Sequence, residues 1–194
     1  MRPRIAAIVL AAGRSSRMPA NKLLTLLDGK PVVRRTVEAV CASQAEPVIV
    51  VTGHAADRIR DTVAELSVTI TENVRFTDGL STSLISGVNS LPDGIDGFVV
   101  ALGDMPFVPP TVIDAMIAAF EEPAAGRIVV PVYGGRRGNP VLWPMPLRDE
   151  FYRLSGDRGA RQLMALHADL VYELEVGTDA ILTDLDTPDD FPRP

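Results

Sequence analysis

The chain is 194 residues long, 46% hydrophobic and 23% charged, with a formal net charge of −6. That length suits one α/β domain with a full core, and the acidic balance argues against a nucleic-acid partner and means that any phosphate ligand is attracted locally. Cys41 is the only cysteine, which excludes an internal disulfide and favours a reducing compartment.

Residues 5–10 are an apolar, β-branched run of strand length that stops at Ala11-Ala12-Gly13, where backbone can approach a ligand without side chains in the way. The next residues are small and cationic: Arg14, Ser15, Ser16, Arg17, then Lys22. From Met1 to Leu27 there are five basic residues and no acid. A buried strand feeding a donor-rich, positive loop is how α/β proteins hold phosphates at the carboxyl end of a sheet. The loop lacks the P-loop pattern, and Gly13 lacks the partner glycines of a dinucleotide fingerprint. Of 19 basic residues only Lys22 and Lys30 are lysines. Lysine acts as a movable point charge where arginine is a planar fork, so Lys22 is a candidate phosphate contact, the alternative being a solvated surface lysine. Met1-Arg2-Pro3-Arg4 and the apolar run behind it mimic a short signal peptide, but cleavage there would destroy the loop. No run approaches the ~20 apolar residues of a membrane span, and a cytoplasmic location is expected.

Asp28-Gly29 is a turn, and Pro31 stands at the first position of a helix predicted to reach about Ser43. Val33, Val37, Val40 and Cys41 share one face of it, so Cys41 reads as a core thiol rather than a nucleophile. Strands are predicted over 47–52 and 68–71, with a helix over 55–65 between them. A polar loop over 72–83 leads into a helix over about 83–90. Residues 97–102 are a nearly all-apolar strand, as a central parallel strand should be, ending in Gly103-Asp104-Met105-Pro106. Pro110 opens a helix whose Ile113, Met116, Ile117 and Phe120 form a core stripe. This alternation predicts βαβ units, with the strand ends after Leu10, Thr71 and Leu102 on one edge. A strand over 127–133, a tip over 134–138 and a returning strand over 139–143 come next. Helices near 147–154 and 158–167 and strands near 170–176 and 181–184 complete the chain. The expected fold is α/β, three-layer and Rossmann-like, with a mostly parallel twisted sheet and an antiparallel hairpin portion.

Asp104 sits at the carboxyl end of a central strand on the edge that carries the glycine loop. A hard oxygen ligand beside a phosphate cradle suits Mg2+; the alternative is an Asp that caps its own turn. From Asp169 to Asp190 there are eight acids and no Lys or Arg, a solvated tail or one with a carboxylate that faces a metal. Ser81 and Ser83 can bond a ligand or cap the helix behind them. Arg158 and Arg161, three apart on one helix face, can grip an anion or merely begin an exposed helix. His54 and His167 have no triad partners at recognisable spacing.

The run Leu10-Ala11-Ala12-Gly13-Arg14-Ser15-Ser16-Arg17-Met18, with Asn21-Lys22-Leu23-Leu24 behind it, resembles the signature of the MobA-like nucleotidyltransferases, closest to the molybdenum-cofactor cytidylyltransferase branch. Later segments extend the resemblance over almost the whole chain. It implies a nucleotide-diphospho-sugar-transferase-like fold over residues 1–194 and Mg2+-dependent transfer of a nucleoside monophosphate from a nucleoside triphosphate, here CTP. The implied acceptor is a phosphate of molybdopterin-bound molybdenum, the leaving group pyrophosphate, and the recipient of the product a molybdenum hydroxylase. By the same resemblance Arg17 neutralises the pyrophosphate, Lys22 the α-phosphate, and Asp104 holds Mg2+, with Asp186 as a second metal ligand or else a helix N-cap. Leu10, Ala11, Ala12, Gly13, Arg14, Ser15 and Ser16 frame the nucleotide, and Gly79, Ser81 and Ser83 resemble its base- and ribose-side loop. Ala12 stands where guanylyl-transferring relatives tend to carry a second Gly; the extra methyl suits a pyrimidine by ~1–3 kcal/mol at most. Arg137, Gly138, Asn139 and Pro140 resemble the acceptor-side motif, with Asn139 where relatives commonly have His. Gly156-Asp157-Arg158-Gly159-Ala160-Arg161 resembles a second acceptor-side element. Two other readings stay open: an NAD(P)H-dependent oxidoreductase on the same fold, and a non-catalytic chaperone that binds the pterin cofactor.

Overall fold

The computed structural model describes residues 2–14, 21–157, 159–187 and 190. Its strands are β1 (Ile5–Ala11), β2 (Leu26–Leu27), β3 (Lys30–Pro31), β4 (Val48–Thr52), β5 (Val68–Glu72), β6 (Gly97–Leu102), β7 (Ile128–Tyr133), β8 (Arg136–Arg137), β9 (Val141–Pro144) and β10 (Val171–Glu175). The α-helices are α1 (Val32–Cys41), α2 (Ala56–Val63), α3 (Leu80–Asn89), α4 (Pro110–Glu121) and α5 (Arg161–Leu166).

Every residue of β1 is buried, which a strand achieves only in mid-sheet with both faces covered. The sheet order is β10-β7-β9-β6-β1-β4-β5, with β8 paired to β7 and β2-β3 a separate hairpin. β1 is parallel to β4 and β6, and β4 to β5. β9 runs antiparallel to β6 and β7, and β10 returns parallel to β7. Alternate residues of β1 face opposite layers. Ala7, Val9 and Ala11 meet Val33 and Val37 of α1, Ile59 of α2, and Ile113 and Met116 of α4. Ala6, Ile8 and Leu10 meet Leu84 and Val88 of α3, Trp143 and Phe151. The helix α3 lies so close that a Cβ on Gly87 would stand 2.5 Å from Ile8 Cγ2. This is the expected mixed, mostly parallel α/β sheet, and it gathers the carboxyl ends of β1, β4, β5 and β6 on one edge.

Three segments differ from the sequence reading. Residues Met145–Arg153 wind as a 3-10 helix. Residues Asp179–Leu182 form a 3-10 turn rather than the start of a strand, because Thr178 Oγ1 accepts the Ala180 N–H at 3.2 Å and so begins a turn. The helix α3 begins at Leu80 rather than near Ser83, because distant groups satisfy its first amides. Leu80 N–H donates to Asp157 Oδ1 at 3.2 Å, and Ser81 N–H to Gly156 O at 3.1 Å. No described helix is long and apolar enough to cross a membrane.

Candidate functional site

The carboxyl ends of β1 and β6 are tied together. Gly103 N–H donates to Leu10 O at 2.9 Å, and the buried Thr36 hydroxyl on α1 donates to Gly103 O at 3.1 Å. A Cβ on Gly103 would stand 2.9 Å from Leu10 O, so glycine permits the approach. Asp104 comes directly after it. Leu185 N–H donates to Asp104 O at 3.1 Å, and Leu185 is buried beside Leu27 and Val32. The residues flanking that anchored leucine are Asp184 and Asp186. One oxygen from each, with one from Asp104, lie within 4.8 Å of one another.

Lys22 opens the 3-10 turn Lys22–Leu24, which Asn21 caps by accepting the Leu23 N–H at 3.0 Å, while Leu23 is buried beneath it. This plants the lysine against the acids: Nζ stands 2.5 Å from Asp104 Oδ2 and also pairs with Asp186 Oδ1. Burial pushes the ammonium's pKa down, but attraction and hydrogen bonds from Asp104 and Asp186 outweigh it and hold Lys22 above its ordinary value. Lys22 therefore stays cationic at neutral pH. Asp104 Oδ1 is shut off from water with no hydrogen-bond partner among the described residues. A bare buried carboxylate oxygen is costly unless a cation or donor completes it. Hard oxygen ligands so grouped fit Mg2+ or Mn2+, which leave their other positions to phosphate oxygens and water. Asp190 ties down the backbone that follows Leu185. Its Oδ2 accepts from the Thr187 N–H at 2.7 Å, the Thr187 hydroxyl at 2.9 Å and the Asp186 N–H at 3.0 Å. These bonds, those of Thr187 above all, hold its carboxyl below the usual range.

A cleft of about 600 Å³ opens in front of this cluster, with Lys22, Asp104 and Asp186 in its lining. One wall is Leu10, Ala12, Gly13 and Arg14; the other is Phe76, Thr77, Gly79, Leu80 and Ser83. The Arg14 guanidinium lies 5.5 Å from the Phe76 ring centroid, bridging the two walls. Ala11 and Ser81 are buried behind the lining. The Ser83 hydroxyl accepts from Asn73 Nδ2 at 3.0 Å, and the same amide donates to Thr82 Oγ1 at 2.8 Å. Ser83 is thus an interior helix residue rather than a cap. Ser15, Ser16 and Arg17 lie outside the described residues.

A second cavity of about 890 Å³ shares Leu10, Leu80, Leu102 and Asp157 with the first. Arg137, Gly138, Asn139 and Arg161 line it, as does Trp143, which packs edge-on against Phe151 at 5.1 Å. Gly138 acts through its backbone. A Cβ there would collide with Ile181 O, the atom that accepts the Asn139 N–H at 2.9 Å. Pro140 turns the other way, towards Thr36, Val40 and Met105. Arg158 lies outside the described residues.

Sequence reasoning passed over three residues. Asp184 shares the short Asp-Leu-Asp alternation with Asp186, and that spacing was the signal for it. Asn73 and Asp157 act by hydrogen bonds to α3, and Asp157 does so across 77 residues of chain, beyond any local pattern.

A nucleotidyl transferase from Methanothermobacter thermautotroptrophicus superposes with a TM-score of 0.83 at 28% identity, covering 96% of this chain and 94% of that one. Rv0371C from Mycobacterium tuberculosis H37Rv, solved as a complex with manganese, superposes with a TM-score of 0.80 at 29% identity, covering 98% and 96%. The bifunctional protein GlmU of Staphylococcus carnosus is 27% identical over 151 residues, 77% of this chain and 32% of that protein. The chain spans about a third of the length of the curated relatives it matches. The family model of the MobA-like NTP transferase domain matches residues 7–171, and the chain belongs to that family.

Proposed function

We propose that the protein is a Mg2+-dependent nucleotidyltransferase that moves CMP from CTP onto a phosphate of molybdopterin-bound molybdenum and releases pyrophosphate. One observation carries this reading: a cleft that joins a strand-end glycine loop, a lysine and grouped carboxylates also shares a wall with a second cavity. The nucleotide occupies the first and the acceptor the second. An acceptor phosphate oxygen attacks the α-phosphorus in line, the bond to the α–β bridging oxygen breaks, and pyrophosphate leaves. No covalent enzyme intermediate is needed, since positioning and charge stabilisation do the work.

Lys22 neutralises the α-phosphoryl group and Arg17 the pyrophosphate. Asp104 and Asp186, with Asp184 beside them, hold the metal, which when bound supplies positive charge to the phosphate oxygens. The manganese complex of a relative supports a divalent ion in this role. Leu10 to Arg14, with Ser15 and Ser16, frame the nucleotide opposite Gly79, Ser81 and Ser83, and the Ala12 methyl favours a pyrimidine. Arg137, Gly138, Asn139, Arg158 and Arg161 hold the anionic acceptor, and Pro140 supports that motif from behind. The 194 residues act as one domain in the cytoplasm and pass the product to a molybdenum hydroxylase.

The test is incubation with each nucleoside triphosphate, Mg2+ and the cofactor, read as pyrophosphate release. Release with CTP is expected. Silence with every triphosphate, or NAD(P)H oxidation in its place, overturns the reading.

A further inference from the structure

We infer that Lys22 is a built-in counter-ion of the acidic cluster, which a divalent cation must displace, so that lysine and ion exchange places when a triphosphate enters. The lysine Nζ pairs with Asp104 Oδ2 and Asp186 Oδ1, oxygens that belong to two of the three grouped carboxylates. A dication on those oxygens would stand at about 2.0–2.6 Å from each. That brings it to contact range of the ammonium, so that the two cations compete for the same oxygens and repel across them. Asp104 Oδ1, buried and bare, is meanwhile left for an incoming cation even while Lys22 holds Oδ2.

The residue type suits an exchange. An ammonium on four methylenes can swing away while its backbone stays put, and here Asn21 and buried Leu23 fix that backbone. Without a nucleotide, the displaced ammonium gives up the two carboxylates with which it pairs. With a triphosphate in the cleft, phosphate oxygens receive both the lysine and the ion. Ion and triphosphate therefore bind cooperatively, and the cluster resists metal loading until the substrate is present. If Lys22 occupies the cluster in about nine molecules of ten, it weakens ion binding about tenfold.

The inference rests on the metal-dependent reading above, but its test needs no turnover. Mn2+ binding is titrated by electron paramagnetic resonance of the free ion, for wild type, Lys22→Met, Lys22→Gln and Lys22→Arg, with and without non-hydrolysable α,β-methylene-CTP. Without nucleotide, both neutral variants should bind Mn2+ about tenfold more tightly, while Lys22→Arg, which keeps the charge, stays near wild type. The analogue should tighten Mn2+ binding to wild type more than to either neutral variant. Unchanged or weaker ion binding in Lys22→Met and Lys22→Gln overturns the exchange, as does equal tightening in Lys22→Arg. Absence of Mn2+ binding in all four proteins overturns the metal-dependent reading along with it.

Discussion

Lys22 and Asp104 meet although 82 residues of chain separate them, and each was legible for a local reason: the rarity of lysine, and a carboxylate at the end of an apolar strand. Asp186 was legible only through family resemblance, and Asp184 only through its alternation with Asp186, because the anchoring of Leu185 that presents both is tertiary. If Lys22 acts on charge that develops in the transition state, Lys22→Ala should lower kcat by roughly 10²–10³. Lys22→Arg should not restore it fully, since a planar fork places its charge differently. Steady-state kinetics beside a thermal melt checks this; a fall in Tm with kcat intact would make Lys22 a structural cation. Asp104→Asn should fold nearly as wild type, because Asp186 still neutralises Lys22, yet lose turnover by orders of magnitude at saturating Mg2+. An active variant would remove Asp104 from the metal site. Ala12 lines the nucleotide cleft, so Ala12→Gly should shift preference towards GTP by no more than ~10–200-fold, measured as the ratio of kcat/KM for CTP and GTP.

Among the elements, the α-helices and the longer strands followed from apolar periodicity and from Pro, Gly and Asp-Gly punctuation, whereas the two-residue strands β2, β3 and β8 were too short to show a period. Where the reading failed, backbone amides found partners that no local pattern records. The helix α3 starts a turn early because Gly156 and Asp157 satisfy its amides, and residues 179–182 turn because Thr178 caps them. The close seat of α3 on β1 gives a test at this scale. Gly87→Ala would push a methyl against Ile8 and should destabilise the fold by about 1–3 kcal/mol, seen as a fall of several degrees in Tm. An unchanged Tm would mean that α3 sits further from the sheet than described. Since α3 also carries Leu80 and Ser83 of the nucleotide cleft, the KM for nucleotide should rise with the loss of stability.

For the whole molecule, the decisive feature is segregation. A chain of net charge −6 sets Arg14 and Lys22 at the carboxyl edge of β1, with Arg4 at the other end of the strand beside Gly94, and brings Asp184 and Asp186 back to that carboxyl edge. On the proposed reading, phosphates would be drawn to a local field rather than a global one, and the carboxylates that would repel them would hold a metal instead. Two cavities that share Leu10, Leu80, Leu102 and Asp157 adjoin one another, and in the proposed reaction they would bring two anionic substrates together. The direct measurement of the proposed group transfer between them is the fate of the α-phosphorus. CTP carrying ³²P at the α position is incubated with the protein, Mg2+ and molybdenum cofactor, and the products are separated. The account predicts label in the cofactor fraction together with an equal amount of unlabelled pyrophosphate, both lost on chelation of the metal and in Asp104→Asn. Label that stays in CTP, or that moves equally well without a divalent ion, would contradict it.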